Sequence, residues 1–140
     1  MKSFNGDVIL EEMKNGYWKL QEYFSYENDY LQVTVKSDFI TDGASIPKIF
    51  WSVVGSPLEN DLLKPAIIHD GLYTANGLVT IMRLKRSECD KLLREMLLFN
   101  GTSKVKAYSI YYAVRLFGGS HWKKDTTDMM KFVQIKGKDV

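Results

Sequence analysis

Ala66-Ile67-Ile68-His69-Asp70-Gly71-Leu72-Tyr73 sets a histidine, an aspartate and a tyrosine in an otherwise apolar run. The chain has only two histidines, so this one stands out. At helical spacing positions 66, 69, 70 and 73 share one face, and imidazole, carboxylate and phenol project together. Ile67, Ile68 and Leu72 cover the other sides. A helix that is apolar all round is buried. Unpaired polar groups buried with it cost about 1–3 kcal/mol each, and more if charged. A partner for the cluster is therefore expected elsewhere in the chain.

The clearest further helix runs from Arg86 to Phe99. Ser87 is the expected cap, with Asp90 three positions on. Leu93 and Leu97 define an apolar stripe, with Cys89, Leu92 and Met96 beside it. Asp90 lies on that stripe. It reads either as a first-turn carboxylate favoured by the helix dipole or as an inward carboxylate that meets His69 from a facing antiparallel helix. A third helix follows Ser103, with Ala107, Ile110, Tyr111, Val114 and Phe117 along one core-forming face. Tyr108 and Tyr112 are available to offer a hydroxyl to a buried acid. For the His69 helix, Asn60 or Asp61 is the expected cap, Pro65 belongs in the first turn, and Gly77 suits the closing position.

Upstream, the pattern is one of strands. Asp7–Leu10 is short and apolar, Asn15-Gly16 signals a hairpin turn, and Tyr17–Phe24 reads as one aromatic-rich strand. Glu27-Asn28-Asp29 makes a second turn, after which Leu31, Val33 and Val35 alternate onto one face. The expected architecture is α+β. A small antiparallel meander over about residues 5–40 precedes a helical core over about 47–118, with about three helices. A polar tail from 123 to 140 carries an expected short apolar strand at Phe132–Ile135, and the whole reads as a single domain of 140 residues.

Composition narrows the function classes. Net charge is +2, from 19 basic and 17 acidic residues, so the basic excess of a general nucleic-acid binder is missing. There is no run of apolar residues long enough for a transmembrane helix. Met1–Asp7 lacks the apolar core of a signal peptide. One cysteine, Cys89, leaves no internal disulfide framework. A reducing compartment is expected, with stability drawn from packing.

Four residues carry the chemistry: Asp42, His69, Asp70 and Asp90. Zinc suits them poorly, since two histidines and one cysteine are scattered along the chain. A triad of Ser45, His69 and Asp90 is conceivable, but Ser45 lacks the Gly-x-Ser-x-Gly elbow. Asp42-Gly43 reads either as an oxygen-donor loop or as an ordinary Asp-Gly turn. His121 reads as a surface or packing histidine. The arrangement that uses most of these residues makes His69 a base oriented by Asp90, while Asp70 and Asp42 hold a hard cation such as Ca²⁺. The cation would polarise an ester carbonyl, and His69 would activate a water.

Thr41 to Pro47 reads Thr-Asp-x-Ala-Ser-Ile-Pro, and His69 to Tyr73 reads His-Asp-x-Leu-Tyr. Arg86 to Asp90 gives Arg-x-x-x-Asp, and Tyr112 to Gly118 gives Tyr-Ala-Val-Arg-Leu-Phe-Gly. Over about residues 39–118 the chain resembles an uncharacterised family common in tailed phages and prophages. It is more distantly similar to the secreted microbial phospholipases A2, which share the order of a Thr-Asp loop, a His-Asp-x-x-Tyr helix and an antiparallel helix with an aspartate. That resemblance implies a phospholipase A2-like helical bundle. Asp42, the Gly43 carbonyl and Asp70 would be calcium ligands, His69 the general base, Asp90 its orienting partner, and Tyr73 a residue that steadies the pair. The disulfides of those enzymes have no counterpart here, and Ala44-Ser45-Ile46-Pro47 replaces a cysteine-containing part of the loop.

Two functions follow as expectations. The first is a Ca²⁺-dependent ester hydrolase acting on a lipid or other ester. The second is a non-catalytic virion, assembly or host-interaction protein in which the histidine and aspartate form a structural network. The phage resemblance and the missing signal peptide imply the host cytoplasm or the virion as location.

Overall fold

A computed structural model describes residues 1–41, 60–74, 84–122 and 132–138. Among these, seven strands and three α-helices form an α+β fold. The strands are β1 (Ser3–Asn5), β2 (Leu10–Glu12), β3 (Trp18–Leu20), β4 (Phe24–Glu27), β5 (Leu31–Val35), β6 (Ile40–Thr41) and β7 (Val133–Gly137). The helices are α1 (Asn60–Thr74), α2 (Arg86–Phe99) and α3 (Lys104–Phe117). The expectations for the 42–47 loop, the apolar 48–54 segment and a cap at Gly77 lie outside the described residues.

The strands form two antiparallel sheets, one ordered β1-β4-β5-β7 and a smaller one ordered β2-β3-β6. Register explains the larger. Phe24 faces Val35, which faces Val133; Tyr26 faces Val33, which faces Ile135. Two buried rows therefore cross three strands, and such cross-strand neighbours are the unit of sheet stability. The turn between β4 and β5 is closed by Asn28, whose Oδ1 accepts from the backbone N–H of Tyr30 and Leu31 at 2.8 and 3.0 Å, an Asx turn.

Two expectations need correction here, and a third is met. The Tyr17–Phe24 strand is two strands in different sheets, β3 and β4. A continuous strand would set Leu20, Glu22 and Phe24 on one face; the break lets Leu20 and Phe24 be buried while Glu22 stays exposed. The Asp7–Leu10 segment is likewise replaced by β1 and β2 on either side of Gly6. The short apolar strand expected within the tail is present: β7 hydrogen-bonds along β5, and Val133 and Ile135 enter the core.

Helix α1 lies between two apolar clusters. Ile67, Ile68, Leu72 and Tyr73 pack with the sheet residues, and Leu62 and Ala66 pack with Leu93 and Leu97 of α2 and Ala107, Ile110 and Val114 of α3. The helix is buried nearly all round, as its composition requires. Pro65 sits inside α1 rather than in its first turn, because the helix begins at Asn60. Helix α2 begins at Arg86, not after Ser87. Lys85 is its cap, and the Glu88 carboxylate accepts from the Lys85 backbone N–H at 3.0 Å. In α3 the buried stripe is Ala107, Ile110, Ala113 and Val114, while Phe117 is exposed and Tyr111 only half-buried. Tyr111 instead carries the Arg94 guanidinium 4.5 Å from its ring centre, a cation–π contact at the surface.

Gly71 is where α1 presses on the sheet. A Cβ there would come within 2.8 Å of Val35 Cγ2. Valine is stiff about χ1, and β5 is pinned on both sides by β4 and β7. Gly71→Ala gains about 1 kcal/mol of helix propensity but meets an overpacking cost of about 1–3 kcal/mol. The expected result in urea denaturation is a net loss of stability, with part of it recovered in Gly71→Ala/Val35→Ala.

Candidate functional site

His69 and Tyr73 are one helical turn apart on α1, and both point at Asp90 of α2. His69 Nε2 lies 2.8 Å from Asp90 Oδ1, and Tyr73 Oη donates to the same oxygen at 2.5 Å. His69 and Asp90 are fully buried and Tyr73 is 1% exposed. The contacts run in opposite senses along the helices, from Tyr73 and His69 against Asp90 to Ala66 and Leu62 in the cluster of Leu93 and Leu97. This is the expected antiparallel pairing. The inward reading of Asp90 holds, and the first-turn capping role belongs to Glu88.

The other carboxylate oxygen is taken from α3. Arg115 Nη1 donates to Asp90 Oδ2 at 2.7 Å. Arg86 completes the ring: its Nε donates to Tyr73 Oη at 3.0 Å, and its Nη2 donates to the carbonyls of Val114 and Arg115 at 2.6 and 3.0 Å. These are carbonyls of the last turn of α3, the negative end of the helix dipole, which attracts cations; that of Val114 also accepts from the Gly118 N–H. Trp122 meets the Tyr73 ring edge-on at 5.2 Å. Gly118 closes α3 against the cluster, and a Cβ there would sit 3.2 Å from Tyr73 Oη.

Electrostatics follow from this geometry. Burial pushes the Asp90 carboxyl upward, but the hydrogen bonds and charges of His69, with Tyr73 and Arg115, outweigh it and hold the group below the usual carboxylate range. Burial, then the Asp90 hydrogen bond and charge, push the Tyr73 phenol above its ordinary value. An ionised carboxylate only accepts, so His69 Nε2 carries its proton and donates the hydrogen bond to Asp90. In the neutral ring Nδ1 then carries the lone pair. Nδ1 is buried and has no hydrogen-bond partner among the described residues.

Asp70, beside His69, is partly exposed and accepts a hydrogen bond from Thr41 Oγ1. Thr41 is held by β6, which pairs Thr41 with Trp18 of β3. Asp42 and Gly43, expected as cation ligands, lie outside the described residues, as does Ser45. Among the described residues no group of three or more His, Cys, Asp or Glu is placed to hold a metal. Neither Tyr108 nor Tyr112 reaches Asp90: that acid is served by Tyr73, and a second partly buried acid, Glu95, by Tyr26 at 2.6 Å. Arg86 and Arg115 carry no expected role from periodicity. Their signal is the Arg86–Asp90 spacing of one helical turn and the placing of Arg115 beside the core stripe of α3.

The family model for "Protein of unknown function (DUF1353)" matches residues 18–114. The chain belongs to the DUF1353 family. Its matched region covers His69, Tyr73, Asp90 and Arg86 and stops one residue short of Arg115. Two relatives come from Sinorhizobium fredii. The uncharacterized protein y4jT is 29% identical over 110 residues, covering 78% of this chain and 31% of the relative. The uncharacterized protein y4iH is 37% identical over 78 residues, covering 56% of this chain and 30% of the relative. The chain thus spans about a third of the length of these relatives. No solved structure matches it.

Removing Asp90 leaves three buried or half-buried donors without an acceptor. Asp90→Ala is expected to cost about 3–5 kcal/mol, and Asp90→Asn, which keeps one acceptor, about 1–3 kcal/mol. The acid dependence has a definite sign. A carboxyl depressed in the fold stabilises fully above its unfolded value of about 4 and loses that contribution as pH falls through the folded value. Thermal melts from neutral to acid pH should therefore fall more steeply below about pH 4 for wild type than for Asp90→Asn.

Proposed function

We propose that this chain is a phospholipase A2-like, Ca²⁺-dependent ester hydrolase, encoded by a phage or prophage and working in the host cytoplasm or from the virion. The reading rests on His69. Its Nε2 is tied to a buried aspartate, and its Nδ1 is buried with no partner among the described residues. A buried nitrogen lone pair without a donor costs about 1–3 kcal/mol, so a donor such as a water molecule is expected at Nδ1.

The residues fit a hard cation. Asp70 follows His69 in the chain and accepts from Thr41, which directly precedes Asp42. Asp70, Asp42 and the Gly43 carbonyl would hold Ca²⁺ as an all-oxygen set. Calcium, when bound, would supply the Lewis acid that polarises the ester carbonyl.

In the proposed hydrolysis, His69 Nδ1 takes a proton from water as the water oxygen bonds to the carbonyl carbon. The imidazolium so formed is steadied by Asp90, whose position Tyr73 and Arg115 fix. His69 then gives the proton to the leaving alkoxide as the ester C–O bond breaks. No protein nucleophile is required.

A second reading is supported by the reach of Asp90, which links α1, α2 and α3 from a fully buried position. On that reading the network is a structural clamp, and the chain is an assembly or host-interaction component. His69→Ala separates the two. On the hydrolase reading, wild type cleaves a short-chain phosphatidylcholine or a nitrophenyl ester, and His69→Ala stays folded but loses at least a hundredfold in rate, in the range of general-base contributions. A collapse in melting temperature, with no cleavage by wild type, would favour the clamp. Calorimetry tests the metal: wild type should bind Ca²⁺ and Asp70→Asn should bind at least about tenfold more weakly. Absence of binding to both removes the calcium part of the reading.

A further inference from the structure

We propose that the outer edge of β7 is a self-association surface, on which a second copy of this chain adds its own β7 to make one continuous sheet. The inference is independent of the hydrolase reading and goes beyond it. Strand β7 ends the larger sheet, with β5 on its inner side. The Lys36 N–H donates to the Phe132 carbonyl at 2.7 Å, and the Lys138 N–H to the Tyr30 carbonyl at 2.8 Å. Pairing alternates along an antiparallel ladder, so Phe132, Gln134, Lys136 and Lys138 turn their backbone groups to β5. Val133, Ile135 and Gly137 turn theirs outward, where they meet no backbone partner among the described residues. A row of unpaired N–H and C=O groups is a template for another strand.

The side chains select the occupant. Two copies of β7 related by a two-fold axis pair antiparallel. An axis through Ile135 sets Val133 of one copy against Gly137 of the other and pairs every outward group of the strand. On the outer face it sets the exposed Lys136 against the exposed Gln134. An axis through Lys136 would oppose like charges, and one through Gln134 would leave Gly137 beyond the end of the facing strand. The lysine that guards the edge against other registers thus permits this one. On the inner face the buried row of Tyr26, Val33 and Ile135 runs on into Ile135, Val33 and Tyr26 of the second copy. Gly137 borders a recess of about 310 Å³ that Leu31, Leu84 and Leu92 also line, and Val133 of the second copy falls opposite it. The outer face stays polar, with Glu27, Gln32 and Lys136 in one row and Ser25, Thr34 and Gln134 in the next. An unrelated strand would satisfy the backbone but not both faces.

Sedimentation equilibrium of the full chain tests this. Wild type should form a concentration-dependent dimer. Gln134→Lys opposes lysines on both sides of the axis and should raise the dimer dissociation constant about two- to thirtyfold, while Gln134→Glu should lower it over the same range. Gly137→Pro deletes an outward N–H and leaves the ladder to β5 untouched. It should weaken the dimer at least about tenfold with an unchanged circular dichroism spectrum. A wild type that stays monomeric at every attainable concentration would overturn the proposal. So would a dimer that all three variants leave unchanged, or one on which Gln134→Lys and Gln134→Glu act alike.

Discussion

A carboxylate cannot be left alone in an apolar interior, and the helical half of this protein is arranged around that constraint. Asp90 is fully buried, and its two oxygens receive hydrogen bonds from α1 through His69 and Tyr73 and from α3 through Arg115. An isolated charge there would carry a desolvation cost of several kcal/mol. Satisfying it fixes the rotation of α1, the register of α1 against α2, and the approach of the end of α3. Arg86 ties the arrangement shut by bonding Tyr73 and the last carbonyls of α3 together.

The apolar packing around the network is consistent with it at every level. Gly71 lets α1 settle on β5, bringing Ile67, Ile68 and Leu72 to the sheet, while Ala66 and Leu62 meet the other helices. Gly118 allows α3 to end within reach of Tyr73. The polar cluster is therefore held by packing on both sides, and its geometry does not depend on a disulfide; the lone cysteine, Cys89, is buried, and its thiol is pushed up chiefly by that burial.

Much of this was legible from residue spacing. The imidazole, phenol and carboxylate of the site fall at helical intervals within apolar runs, and buried polar groups must find one another. The stripe of α2 is read correctly for the same reason. Boundaries were less legible. Ser87 has the chemistry of a cap, yet Glu88 and Lys85 close the helix instead, a choice settled by one backbone hydrogen bond. The split of Tyr17–Phe24 between two sheets is tertiary, driven by where Glu22 can reach water. Spacing does not mark Arg115 as a partner of Asp90, because a lone arginine on an amphipathic helix ordinarily points to solvent. Period alone puts Tyr111 and Phe117 in the core, but the buried stripe of α3 is only Ala107, Ile110, Ala113 and Val114.

The pairing of β5 with β7 has a kinetic meaning. Val33 meets Ile135, roughly a hundred positions later in the chain. During synthesis β5 would leave the ribosome long before the segment that covers its second edge exists. Until then its N–H and C=O groups on that side are exposed to any extended segment nearby, an aggregation risk typical of late-closing sheets. Final consolidation of the sheet waits for β7, and a chaperone that shields the strand in the interval would raise the yield of folded molecules without touching the native state.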